Sequence, residues 1–125
     1  MKNVICGRCV KCGREYKAVP NLTNCECGGI LDIIYDYDYI KQNLTKEKLA
    51  ARDDRSMWRY RELLPVEETT PNTPLRVGWS PLYKADRLAK ELGIAKLWVK
   101  DDGQNPTASL KDRASAMAVA KAQEA

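Results

Sequence analysis

Four of the five cysteines fall in two tight pairs, and this spacing restricts the fold more than any other feature of the chain. Cys9-x-x-Cys12-Gly13 is followed by Cys25-x-Cys27-Gly28-Gly29. A zinc ion takes four thiolates tetrahedrally and leaves no open position, and a short spacing lets one tight turn present two sulfurs to it. Glycines beside the pairs let backbone N–H groups come close to sulfur. An odd number of cysteines in such spacings suits a metal better than disulfides, and favours a reducing, cytoplasmic setting. Cys6-x-x-Cys9 is a competing pair. Cys9 and Cys12 are preferred because Cys12-Gly13-Arg14-Glu15-Tyr16 reads as a knuckle running into a strand, which leaves Cys6 as the remaining thiol. The single residue between Cys25 and Cys27 makes the second turn tighter than the first.

The segment between the pairs is able to form a hairpin, and Ile30-Leu31-Asp32-Ile33-Ile34-Tyr35 reads as a strand that closes the unit. Residues 1–36 are therefore expected to form a zinc-ribbon-like module. Residues 2–26 hold five basic and two acidic side chains. Four thiolates around one zinc ion offset most of that excess. With a net charge of only +4 for the whole chain, nucleic acid is not an expected partner. No apolar run approaches membrane-spanning length, and the charged N-terminus lacks the apolar core of a secretory signal.

Residues 37–76 read as a helical segment and linker. Tyr39, Ile40, Leu44 and Leu49 recur near helical spacing, Thr45 is a candidate N-cap, and Ser56 caps a further short helix through Met57 and Leu64. Trp58-Arg59-Tyr60 is expected to pack against a neighbour and is assigned no chemistry. Pro65 to Gly78 holds three prolines and three threonines, so no long helix or strand fits there.

From residue 77 the pattern changes again. Leu82, Ala85, Leu88 and Leu92 follow helical spacing, predicting a helix over 84–92 that Gly93 stops. Lys96-Leu97-Trp98-Val99-Lys100 reads as a buried strand, followed by the polar turn Asp101-Asp102-Gly103-Gln104 and an alanine-rich helix from Ser109, with Leu110, Ala114, Met117 and Ala118 as its buried stripe. This succession predicts an open α/β fold with a helix-flanked parallel sheet, in which ligands collect beyond the C-terminal ends of strands. Lys111 falls there, in the first helical turn, where free N–H groups and partial positive charge gather. The sequence has no histidine, so acid–base work falls to lysine, carboxylates, tyrosine or cysteine. A lysine so placed is a candidate Schiff-base former.

The string Asn105-Pro106-Thr107-Ala108-Ser109-Leu110-Lys111-Asp112-Arg113-Ala114 resembles the lysine motif of the fold-type II pyridoxal-phosphate enzymes, Asn-Pro-Thr-Gly-Ser-Phe-Lys-Asp-Arg-Gly. It departs from that motif at Ala108, Leu110 and Ala114. The alanines disfavour positive φ, so the loop is expected to run through ordinary backbone space. Gly78-Trp79-Ser80-Pro81-Leu82 is similar to the Gly-x-Thr-Pro-Leu element that precedes the lysine in the same family, with Ser80 for Thr. Taken with the cysteine module, the order of motifs resembles the threonine synthase family.

That resemblance implies residues 77–125 as the start of a tryptophan synthase beta-like α/β domain. It implies pyridoxal 5′-phosphate as cofactor and Lys111 as its covalent holder and proton carrier. Ser109, Asn105 and Thr107 are the implied cofactor-binding or loop-ordering residues. Ser80 and Arg113 are implied near the substrate, and Asp112 as a helix cap. The implied reaction converts O-phosphohomoserine and water to threonine and phosphate, a lyase reaction on a small amino-acid phosphoester, in a homo-oligomer. The same motif occurs in cysteate synthases, threonine dehydratases and cysteine synthases. In the family the glycine-rich turn for the cofactor phosphate and the partner of its ring nitrogen lie further along, so these 125 residues are expected to be an N-terminal portion, inactive alone. The alternative from another class is a stand-alone zinc-ribbon binding module.

Overall fold

The computed structural model describes residues 1–125. The chain opens with a three-stranded antiparallel sheet of β1 (Val4–Cys9), β2 (Glu15–Tyr16) and β3 (Leu31–Tyr35), in the order β2-β1-β3. β1 is central, with Gly7 opposite Tyr16 on one side and Ile33 on the other. Both cysteine turns lie at one end of this sheet. Gly13 and Gly28, at φ +75° and +78°, turn the chain there.

Asp36 caps α1 (Tyr37–Asn43) by accepting the Tyr39 N–H at 2.9 Å. Thr45 caps the short α2 (Lys46–Ala50) through Lys48 N–H at 3.2 Å, and Ser56 caps a 3-10 helix over Met57–Leu63 through Trp58 N–H at 3.2 Å. In each case a small polar side chain satisfies an N–H that the helix itself leaves free. Asn3 joins the first sheet to this region. It is buried and donates to the carbonyls of Glu62 and Leu64 at 3.0 and 2.8 Å.

Residues 65–78 contain no regular element, yet Val66 and Val77 are buried. They join Met57, Trp58, Ala116 and Ala120 in a single apolar cluster, with Leu64 and Met117 at its edge. The last helix, α4 (Asp112–Glu124), contributes Ala116 and Ala120, one turn apart, to that cluster, and Asp112 is buried one turn earlier. The Glu124 carboxylate fastens the irregular stretch to the end of α4 by accepting the Thr70 hydroxyl and the Glu67 N–H.

Several expectations are corrected here. Leu82–Lys84 is a strand, β4, paired antiparallel with β5 (Trp98–Lys100), so the expected parallel pairing is absent from this pair. The helix between them, α3, covers Asp86–Glu91 only. Gly93 does end it, at φ +68°, with Gly93 N–H to Lys90 O and Ile94 N–H to Ala89 O. β5 is exposed along its length, with Trp98 and Val99 at 46% and 45%, and is not the buried strand expected. In α4 the buried stripe is shifted from the expected one. Leu110 precedes the helix and is 67% exposed, and Ala114 and Ala118 face out. Ala116 and Ala120 are buried in their place, at 5% and 0% exposure.

Candidate active site and metal centre

The sheet geometry brings Cys9, Cys12, Cys25 and Cys27 together, with all four sulfurs within 4.8 Å of one another. Cys9 lies at the end of β1, and its carbonyl accepts the Gly13 N–H at 3.0 Å, which curls the first knuckle. The second knuckle is closed by Gly28 N–H to Cys25 O and Cys25 N–H to Gly29 O, each at 2.8 Å. Cys6, also on β1, is buried and stands outside the cluster.

The donor set fits zinc. The approaches Cys9–Cys27 and Cys12–Cys25 are both 3.6 Å. A regular tetrahedron of sulfurs about 2.3 Å from zinc has edges of about 3.8 Å. Gly29 is required at its position, since a Cβ there would lie 2.6 Å from Cys9 Sγ. The Lys11 and Cys12 N–H groups point at Cys9 Sγ from 3.4 and 3.5 Å. The Tyr16 hydroxyl, with the Cys27 N–H, pulls the Cys25 thiol down to about 6. Cys27 is drawn down by the Gly29 N–H, but the three neighbouring thiols together push it up to about 12. All four sulfurs can be thiolates at this separation only with a positive ion among them.

The second assembly surrounds Lys111. β5 leads into a 3-10 turn over Asp102–Gln104 and then into the lysine loop. Asn105 is buried; its Oδ1 accepts the Gly78 N–H at 2.9 Å and its Nδ2 donates to Asp102 O at 2.9 Å. Thr107 donates to the Asp112 carboxylate twice, from its N–H at 2.8 Å and its hydroxyl at 2.6 Å. Asp112 thus ties the loop to the helix instead of capping the helix. Ser109 Oγ accepts the Lys111 N–H at 3.2 Å. α4 begins at Asp112, so Lys111 stands just before the helix and not in its first turn. Its side chain is exposed.

Ala108 overturns the backbone expectation. It sits at φ +55°, in the left-handed region that favours glycine. The loop keeps that conformation because Ala108 N–H is bonded to Asn105 O at 2.9 Å while Asn105 and Thr107 are held on either side.

Ser80 and Arg113 meet at Asp102. Arg113 grips that carboxylate with Nη2 to Oδ1 at 2.8 Å and Nε to Oδ2 at 3.1 Å, and the Ser80 hydroxyl donates to the same group. Arg113 first, and Ser80 second, hold the Asp102 carboxyl well below the usual carboxylate range. Lys100 adds a bond to the Ser80 carbonyl. Ser80, Lys100 and Arg113 line an open cleft of about 680 Å³ together with Tyr60, Arg76, Trp79, Pro81 and Leu82. Trp79, at φ +52°, stacks on the buried Arg59 guanidinium, 4.2 Å from its ring centre.

Asp102, Lys100 and Tyr16 were not singled out by their sequence context. Asp102 lies in a polar turn and Tyr16 in an ordinary strand, and their partners are distant in the chain, so no local signal marks them. For Asp102 the nearest hint is the pair of carboxylates just before an Asn-Pro turn.

Residues 73–125 match the family described as pyridoxal-phosphate dependent enzyme. Lys111 lies inside the segment that matches that class. Within it, the chain is similar to threonine synthases over nearly all of its length. It is 47% identical over 117 residues to a threonine synthase of Methanocaldococcus jannaschii, a match taking in 94% of this chain and 29% of that protein. A threonine synthase of Methanosarcina acetivorans is 47% identical over 118 residues, covering 94% of this chain and 28% of its own length. A cysteate synthase of Methanosarcina mazei is 34% identical over 101 residues, or 79% of this chain and 21% of that protein. The chain thus spans less than a third of the length of the curated relatives it matches. No solved structure matches it. No helix is long and apolar enough to cross a membrane.

Proposed function

We propose that this chain is the lysine-bearing, cysteine-module portion of a threonine synthase, a lyase that converts O-phosphohomoserine and water to threonine and phosphate. The observation that carries the reading is Lys111. It extends an exposed amine from the loop that enters α4, and that loop is pinned from both sides by Asn105 and by the Thr107–Asp112 pair. An unencumbered primary amine on a fixed loop fits covalent attachment of pyridoxal phosphate.

When bound, the cofactor supplies the electron sink for charge developing on substrate carbons. The rest falls to the chain's own residues. Lys111 Nζ would hold the cofactor and, once freed, would take up and return protons at the substrate carbons. Asn105 and Thr107 keep the loop in place so that Nζ returns to the same point. Ser80, held by Asp102 with Arg113, keeps a fixed hydroxyl in the neighbouring cleft. The four cysteines hold a structural zinc ion that closes the first sheet. A reducing, cytoplasmic setting suits five cysteines that form no disulfide.

The second reading is cysteate synthase, favoured by the 34% identity with the Methanosarcina mazei enzyme. The higher identity and wider coverage of the two threonine synthases place it behind. An assay of the native-length protein separates them. Release of phosphate and threonine from O-phosphohomoserine, abolished in Lys111→Ala, supports the proposal. A protein that leaves O-phosphohomoserine untouched and forms cysteate from another phosphoester contradicts it.

A further inference from the structure

We propose that Tyr16 is a positioning residue of the cysteine metal centre, donating its hydroxyl proton to the Cys25 sulfur. This rests on the reading of the four cysteines as zinc ligands. Tyr16 is half-buried at the end of β2, held by its pairing with Gly7 of the central strand. Its hydroxyl lies 3.1 Å from Cys25 Sγ.

The direction of this bond follows from the groups present. A ligating cysteine is a thiolate and carries no proton, so it accepts. The backbone N–H of Glu26 approaches the same tyrosine oxygen at 3.5 Å, occupying it as an acceptor and leaving its own proton for sulfur. The neighbourhood explains why a side chain is needed here. In the first knuckle two backbone N–H groups, of Lys11 and Cys12, reach Cys9 Sγ. In the second, only one residue separates the cysteines: the Cys27 N–H acts on the Cys25 sulfur, but the Gly28 N–H is taken by the Cys25 carbonyl and adds no second backbone donor. Tyr16 brings a donor from a different strand to the sulfur of that tighter knuckle. It orients Cys25, withdraws charge from its sulfur, and couples ligand geometry to the β1–β2 pairing. Groups of this kind around zinc contribute about 10–100-fold in metal affinity.

The test compares the whole chain with Tyr16→Phe, which removes one oxygen and keeps the ring. Zinc affinity is read by competition with a chromophoric chelator, and the sulfur-to-metal absorption is read with cobalt(II) in place of zinc. The expected result is a 10–100-fold weaker zinc affinity together with a displaced cobalt–thiolate band. An affinity within twofold of wild type overturns the proposal. So does a weaker affinity with an unmoved cobalt band, since that pattern reports general loosening of the fold. A wild-type chain that takes up neither ion removes the metal reading itself, and this proposal with it. Wild-type binding beside an unchanged Tyr16→Phe removes only the role of Tyr16.

Discussion

The side-chain oxygen of Asn105 accepts the backbone N–H of Gly78 across 27 positions of chain, at 2.9 Å, with both groups buried. This one bond joins the turn before β4 to the loop that carries Lys111. Removing its acceptor leaves a buried N–H without a partner, which costs about 1–3 kcal/mol. Asn105→Ala is therefore expected to lower unfolding stability by that amount in denaturant titration.

Gly78 answers to two constraints at once. Its φ is +87°, and a Cβ there would lie 2.9 Å from the Met57 nitrogen and 3.0 Å from Arg113 Nη1. The Met57 N–H is itself fixed by Val77 O at 2.7 Å, so the backbone cannot yield. Left-handed strain of about 1–2 kcal/mol adds to overpacking of about 1–3 kcal/mol. Gly78→Ala is expected to destabilise by about 2–5 kcal/mol on the same measurement, more than Gly93→Ala, where nothing lies within 4 Å.

Ala108 is the reverse case. An alanine at φ +55° carries strain that glycine does not. Relief of about 1–2 kcal/mol, less the extra freedom of glycine in the unfolded chain, leaves a gain of about 0.5–1 kcal/mol. A higher midpoint for Ala108→Gly checks this; a lower one refutes the account of the loop.

Asp102 makes stability depend on acid. Its folded-state value is depressed, so the unfolded chain takes up a proton first as pH falls. The contribution is complete above the ordinary carboxylate value of 3.8 and is lost as pH falls from there through the folded-state value. Asp102→Asn is expected to be less stable than wild type at neutral pH and to lose less stability between neutral and strongly acid solution. Parallel pH profiles for the two proteins would contradict this.

What was legible in the sequence was local. Thr45, Ser56 and Gly93 announce helix ends because the groups they satisfy lie two to five residues away. The cysteine cluster was legible because short spacing constrains each knuckle by itself. β4 was not, because Leu82 and Ala85 happen to continue the helical spacing of α3, and only pairing with Lys100, beyond that helix, makes Leu82 a strand residue. Ala108 was misread for the same reason: its own preference is against positive φ, and bonds made by Asn105 and Thr107 override it. The Asp112 role also depends on geometry, since a helix-capping carboxylate and a loop-tying one look alike in the sequence.

The central claim is that Lys111 forms the covalent link to pyridoxal phosphate. Incubation of the chain with the cofactor, reduction with borohydride and peptide mapping tests it directly. The account predicts label concentrated on Lys111 and absent from it in Lys111→Ala, with no other lysine taking its place. Label spread evenly over the exposed lysines, with Lys111 no more reactive than the rest, would contradict it.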